Sequence, residues 1–410
     1  MFLSVLDKLR KIFYIVTIDE VSLDETDTMP KYLLNDGIPI FILLIILEFL
    51  ILSFIKNKNF VNLKTTVKEL FLSLNIGATE QLFSLLLDVT SIYSGLFVYN
   101  KFYYNYRINT IDVKSNKYIS FMFLFILKDF SYYWVHRLLH EYHILWTSHS
   151  VHHSGQKYNL ATGLRQGALQ NIFSVPFLLP ASIIGFPPQS YFAHAQLNTM
   201  YQFWVHTDLV DNLPFNLEYI FNSPSAHRMH HRPPGNCNYG GVLIIWDKIF
   251  GTYKHEIIKT DNYGLVKKLK SNDPLYLNIQ HFDVFSRIKK GFVNKYTTRR
   301  VPWKWKFNIL DIFKIYPKTK IDSKIHFNKE CINDFQSTLT INVILVFKTL
   351  LILIFGKKIY QNHLALIIIL QIMSLSFIYK MWNDNKSINL ILSILMIDMV
   401  YIINWIFLTE

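Results

Sequence analysis

Any fold open to this chain must bring three tight histidine clusters to one place. They read His136-Arg-Leu-Leu-His140, His149-Ser-Val-His152-His153 and His227-Arg-Met-His230-His231. On a helix, residues three or four apart share a face, so each cluster aims two or three imidazoles at one point. Eight converging imidazoles exceed the three or four that one zinc ion takes and suit a pair of ions. Imidazole serves Zn, Cu, Fe or Ni alike, so the count points to two metals without naming the element. A chain with 15 histidines shows some clustering by chance. Two H-x-x-H-H boxes and an H-x-x-x-H between residues 136 and 231 go well beyond that.

The clusters lie between apolar runs. The chain is 51% hydrophobic and 16% aromatic, its mean hydropathy is positive, and several runs reach the roughly 20 residues a helix needs to cross a bilayer. The expected fold class is all-α: a polytopic integral membrane protein with a histidine-rich helical di-metal catalytic region at the cytosolic membrane surface. Candidate spans are residues 38–55, much of 70–99, 118–135, and 168–188 broken by Pro176 and Pro180; three late ones lie near 338–355, 363–379 and 388–408. Residues 1–14 mix apolar and basic positions and read as an interfacial segment, with the first span as an uncleaved insertion signal. Residues 1–117 then form an entry segment and anchor, 118–255 carry the chemistry, 256–335 are basic membrane-surface chain, and 336–410 are transmembrane tail.

A net charge of +13 would suggest nucleic acid in a soluble protein. Here the basic residues gather outside the apolar runs, above all between Lys267 and Lys306. The positive-inside bias places that stretch, and the histidines joined to it, on the cytosolic side, with Trp303 and Trp305 as interface anchors. Residues 56–68 and 101–117 are both basic, so either 70–99 is a hairpin or one of those loops is outside. Cys237 and Cys331 form no C-x-x-C motif and set no disulfide framework.

The string Asp129-Phe-Ser-Tyr-Tyr-Trp-Val-His-Arg-Leu-Leu-His140, the two later boxes and Asn222-Ser-Pro-Ser-Ala-His-Arg-Met-His-His231 resemble the fatty acid hydroxylase and sterol desaturase superfamily. Three further strings are similar to its tetrahydrobiopterin-dependent, ether-lipid-cleaving branch. They are Tyr158-Asn-Leu-Ala-Thr-Gly-Leu-Arg-Gln166, Tyr201-Gln-Phe-Trp-Val-His-Thr207 and Gly241-Val-Leu-Ile-Ile-Trp-Asp-Lys-Ile-Phe-Gly-Thr252. The likeness is strong over about residues 130–255. It implies two irons, dioxygen, tetrahydrobiopterin, a lipid substrate (an alkylglycerol or lysoalkyl phospholipid) and, in a eukaryote, the endoplasmic reticulum. Two departures stand out. The loop after His231 is shorter than the family's polar insert, and Ala226 occupies a position where many relatives carry another histidine.

A metal pair of this kind can cut an unactivated C–H bond, which no side chain does alone. The resemblance then places hydroxylation at the carbon beside the ether oxygen, with collapse to a fatty aldehyde and a glycerol derivative. Two other readings stay open: sterol or fatty-acyl oxidation driven by cytochrome b5, and a non-catalytic zinc-binding membrane protein. His206 is either a ninth ligand or a lone core histidine. Ligand histidines commonly pass their second N–H to a carboxylate or carbonyl, which makes Asp129 a candidate partner, its alternative being a pair with Lys128. Glu141 is a candidate histidine or pterin partner, or else a solvated face; Glu218 is a weaker one. Arg165 and Gln166 suit a phosphate head group or pterin, or else lipid phosphates. Asn159 and Tyr239 complete the catalytic candidates, and Tyr239, Trp246 and Asp247 either line the pocket or pack beneath the metals. Glu48, Asp88 and Asp398 lie in apolar runs without an assigned partner.

Overall fold

The computed structural model describes residues 2–55, 60–87, 92–233, 235–259, 263–265 and 277–278. The three late spans, the basic stretch with Trp303 and Trp305, Cys331 and Asp88 fall outside the described residues, as do His281, His326 and His363. In chain order the helices are α1 (Phe2–Ile12), α2 (Ile18–Val21), α3 (Ile38–Ile55), α4 (Phe60–Leu87), α5 (Ile92–Tyr106), α6 (Lys117–Glu141) and α7 (His143–His149). There follow α8 (Gln170–Ser174), α9 (Leu179–Ile184), α10 (Pro188–Trp204), α11 (Pro224–His231) and α12 (Ile245–Ile249). Among the described residues there is no strand, only an isolated bridge between Phe221 and Leu243.

A π-helical turn at Leu33–Gly37 runs into α3, and Leu33–Phe54 is long and apolar enough to cross a membrane. One side of α3 buries Ile40, Phe41 and Ile45 against the protein, while Ile38, Ile42, Ile46 and Phe54 are exposed, as suits a helix bordering lipid. No other helix among the described residues meets that measure. The expected span 70–99 is divided between α4 and α5, and 118–135 is helical as part of α6 but carries Lys128 and Asp129. The run 168–188 breaks where Pro176 and Pro180 lack an N–H: it folds as α8, a 3-10 turn at Val175–Leu178, and α9. Gly185, at φ 104°, ends α9 so close to Asn109 that an added Cβ would meet its carbonyl oxygen at 1.6 Å.

Helix α10 is the core element. Ala193, Leu197, Met200 and Phe203 pack with Ile12 of α1, with Ile40, Phe41 and Ile45 of α3, and with Leu160 and Ala161. The apolar face of α1 is therefore largely occupied by protein, although Leu6 remains exposed, as do Phe13 and Ile15 just beyond the helix. Ion pairs hold its polar side, Lys11 to Asp36 at 2.7 Å and Arg10 to Glu20 at 2.6 Å. With α10 fixed in this way, the C-terminal ends of α6 and α10 meet α7 and α11, and the histidines lie where they meet.

Candidate metal centre

Nine buried histidines form two groups. His136, His140, His149, His153 and His230 make one; His152, His206, His227 and His231 make the other. Within each group, one nitrogen per ring lies within 4.8 Å of the others. His206, one residue past the end of α10 and its C-cap Val205, sits in the four-histidine group.

Helix periodicity sorts two of the pairs: His136 and His140 on α6, and His227 and His231 on α11, are four residues apart and stay in one group. His149, the last residue of α7, and His153, in the 3-10 turn His152–Ser154, also share a group. The middle histidine of each H-x-x-H-H box crosses to the other group: His152 leaves His149 and His153, and His230 leaves His227 and His231. The boxes are thus used in opposite senses, and the adjacent residues His152 and His153, like His230 and His231, serve different groups. α11 begins with Ser223 as N-cap, its side chain accepting from Ala226 N, and with Pro224 in the first turn.

Hydrogen bonds fix the ring tautomers. Nδ1–H of His136 donates to the Tyr239 carbonyl at 2.8 Å, that of His149 to Gln170 Oε1 at 3.0 Å, and that of His230 to the Cys237 carbonyl at 2.8 Å. In the other group His152 donates to the Arg165 carbonyl at 2.9 Å and His206 to the Gln202 carbonyl at 2.7 Å. A neutral ring with its proton on Nδ1 presents a lone pair at Nε2. Nε2 of His136 and His149 nonetheless lie 3.0 Å apart, and Nε2 of His152 and His206 3.2 Å apart. Lone pairs that close repel unless a cation sits among them, so the donor set fits a metal in each group. Buried Nε2 atoms of His153, His230 and His231 have no hydrogen-bond partner, which fits the same reading. Burial holds the imidazoles neutral, lowering His149 and His206 to about 4 and His230 to about 3.

The loop bearing one of these carbonyls, that of Tyr239, is itself pinned by two buried carboxylates. Asp247 accepts from Tyr239 N and Gly240 N, both at 2.7 Å, and from Thr252 Oγ1 at 2.6 Å. Asp129 accepts from Val242 N, Leu243 N, Trp246 Nε1 and Asn198 Nδ2 at 2.8–3.0 Å. This corrects the expectation that Asp129 receives a histidine N–H. Four donors surround its carboxylate, and it reaches the rings only through the loop it anchors.

The remaining candidates are dispersed. Glu141 faces back along α6 to Arg137 at 2.7 Å. Arg165 is buried in an ion pair with Glu69 of α4 at 2.8 Å, and its neighbour Gln166 donates to the Gly163 carbonyl. Asn159 caps the 3-10 turn Leu160–Leu164. The Tyr239 ring packs 5.3 Å from His140. Trp246 and Asp247 lie beneath the centre through the bonds above, and Glu218 accepts from Leu213 N and Ser225 Oγ. Gln170 went unmarked in the sequence, although a polar residue near the start of the apolar run 168–188 is the signal that could have found it.

Residues 121–252 match the profile of the family described as Fatty acid hydroxylase. The chain is 35% identical to alkylglycerol monooxygenase of Homo sapiens over 300 residues, 72% of this chain and 64% of that protein. It is 36% identical to alkylglycerol monooxygenase of Xenopus tropicalis over 281 residues, 68% of this chain and 60% of that protein. A more distant relative is ornithine lipid hydroxylase OlsE of Rhizobium tropici, 32% identical over 133 residues, 31% of this chain and 40% of that protein. The chain thus spans less than two thirds of the length of these relatives. No solved structure matches it.

Proposed function

This chain carries a fatty acid hydroxylase domain, and on that premise we propose that it is a membrane-bound di-iron monooxygenase acting on alkylglycerols. The nine histidines hold two iron ions, and tetrahydrobiopterin is the reductant. The observation that carries the metal reading is the pair of facing Nε2 lone pairs in each group, at 3.0 and 3.2 Å. The substrate and reductant follow the alkylglycerol monooxygenases that the chain resembles.

Bound iron would supply dioxygen activation and removal of hydrogen from the carbon next to the ether oxygen. One oxygen atom enters that C–H bond; the other leaves as water with two electrons from the pterin. The resulting hemiacetal separates into a fatty aldehyde and a glycerol derivative. The chain's own residues keep the rings neutral and oriented, through Nδ1–H bonds that leave Nε2 free for metal. Arg165 is a candidate for the polar end of the lipid or the pterin. Its Nη1 is engaged by Glu69, while Nε and Nη2 are buried without a hydrogen-bond partner among the described residues. Glu141, Gln166, Asn159 and Tyr239 are proposed beside it. The exposed face of α3 supports a bilayer setting, and we place the centre on the cytosolic side, in the endoplasmic reticulum of a eukaryotic cell.

The test is release of fatty aldehyde from an alkylglycerol by iron-loaded membranes containing the protein, with and without tetrahydrobiopterin. Pterin-dependent aldehyde is the expected result. Turnover of a sterol or fatty acyl chain with cytochrome b5 instead would keep the oxygenase and overturn the substrate. Purified protein holding only zinc and consuming no oxygen with any lipid would overturn the enzyme.

A further inference from the structure

Glu48 is a carboxylate in the middle of α3, within the stretch Leu33–Phe54 that is apolar enough to cross a membrane. It is buried, and both its oxygens are used: Oε2 accepts from Leu160 N at 2.7 Å, and Oε1 from Thr207 Oγ1 at 2.6 Å. A carboxylate among apolar residues is costly to keep, and such residues are retained where they perform a specific task. These donors identify that task. Thr207 directly follows His206. Leu160 opens the 3-10 turn Leu160–Leu164, and the carbonyl of Arg165, at the end of that turn, receives Nδ1–H of His152.

His152 and His206 both belong to the four-histidine group, with Nε2 atoms 3.2 Å apart. Neither Leu160 nor Thr207 lies next to a histidine of the other group in sequence. We propose that Glu48 is a positioning residue for the four-histidine group, clamping the two segments that present His152 and His206 and so tying that site to the membrane helix. The inference rests on the reading of both groups as metal sites.

The experiment uses the full-length protein in lipid nanodiscs, stripped of metal and titrated with Co(II), reading ions bound per chain, their affinities and the Co(II) absorption spectrum. The wild type is expected to bind two ions. Glu48→Ala should weaken one of them by about 10- to 100-fold, the usual cost of removing a group that orients a ligand, and leave the other unchanged. The ion left at its wild-type affinity should give the spectrum of the unweakened ion in His206→Ala, which marks the five-histidine group. Glu48→Gln should stay close to wild type, because its amide oxygen accepts from Leu160 N and its amide nitrogen donates to the Thr207 hydroxyl. Thr207→Val removes one donor at little cost in volume; it should weaken the same ion and decides the matter if Glu48→Ala fails to fold. Unchanged affinities in whichever of these two variants fold would overturn the proposal. A wild type that binds no second ion would instead overturn the metal reading beneath it.

Discussion

Nε2 of His136 and Nε2 of His149 stand 3.0 Å apart while both rings spend their Nδ1 protons elsewhere, on the Tyr239 carbonyl and on Gln170 Oε1. Two neutral rings held this way cannot hydrogen-bond to each other through those atoms, and burial favours the neutral form of both. A cation relieves the contact, and removing either ring removes a ligand. His136→Ala leaves four imidazoles in its group and His227→Ala three, so His136→Ala is expected to weaken the ion of the five-histidine group and leave that of the other unchanged, and His227→Ala the reverse. Co(II) titration of the purified variants should show one affinity lowered and the other at its wild-type value. Affinity lowered at the opposite group, or equally at both, would contradict the sorting.

Gln170 offers the acceptor that keeps the His149 proton on Nδ1. Gln170→Leu should weaken the five-histidine ion by about 10- to 100-fold, as loss of such an orienting partner typically does. Gln170→Glu, which keeps an acceptor oxygen, should restore most of the affinity in a chelator competition.

Asp129→Asn tests the scaffold rather than the metal. The amide oxygen can still accept, but the amide nitrogen would face two of the four donors now served by the carboxylate. Each buried donor left unsatisfied costs roughly 1–3 kcal/mol. The variant should show a clearly lower unfolding temperature, and metal affinity should fall through disorder of the loop bearing the Tyr239 carbonyl.

Acid should unfold the metal-free protein early. Burial lowers His149 and His206 to about 4 and His230 to about 3 in the fold, whereas an unfolded histidine titrates near its ordinary 6.5. Between those values the unfolded chain binds more protons than the folded one, so stability is full above about pH 6.5 and declines as pH falls toward 4. Denaturation of stripped protein followed from pH 8 to 4 should show that decline. A stability that rises on acidification across the window would refute the neutral, buried state of these rings.

Much of the site was legible because its ligands come in helical spacing. The i, i+4 pairs announced shared faces, and the string around His206 marked a ninth candidate that the structure brings to the four-histidine group. The crossing of His152 and His230 to the opposite groups was hidden, since it depends on how α11 and the 3-10 turn after α7 approach each other. Hidden too were the acceptors of the Nδ1 protons: four of the five are backbone carbonyls, at Tyr239, Cys237, Arg165 and Gln202, and every residue carries a carbonyl. Asp129 stood out as a buried charge, but sequence could not show that four donors from the 242–246 turn and α10 would reach it. The apolar run 38–55 read correctly as one long helix, whereas in 168–188 the two prolines mattered more than the hydropathy.

The neighbours His152 and His153, and again His230 and His231, work as rulers. Each pair sends its members to different groups, so the two groups are joined twice across a single peptide unit, whose ends are about 3.8 Å apart whatever the side chains do. The backbone spacing behind the two groups is thereby written into covalent geometry at two points, whose rings pack on one another, His153 4.4 Å from His231 and 4.7 Å from His230. A larger or smaller bound ion would then be met by tilting rings and stretching their bonds to the carbonyls, with that backbone spacing unchanged. An inserted residue inside either pair would do the opposite, pulling the sites out of register while every ligand is still present.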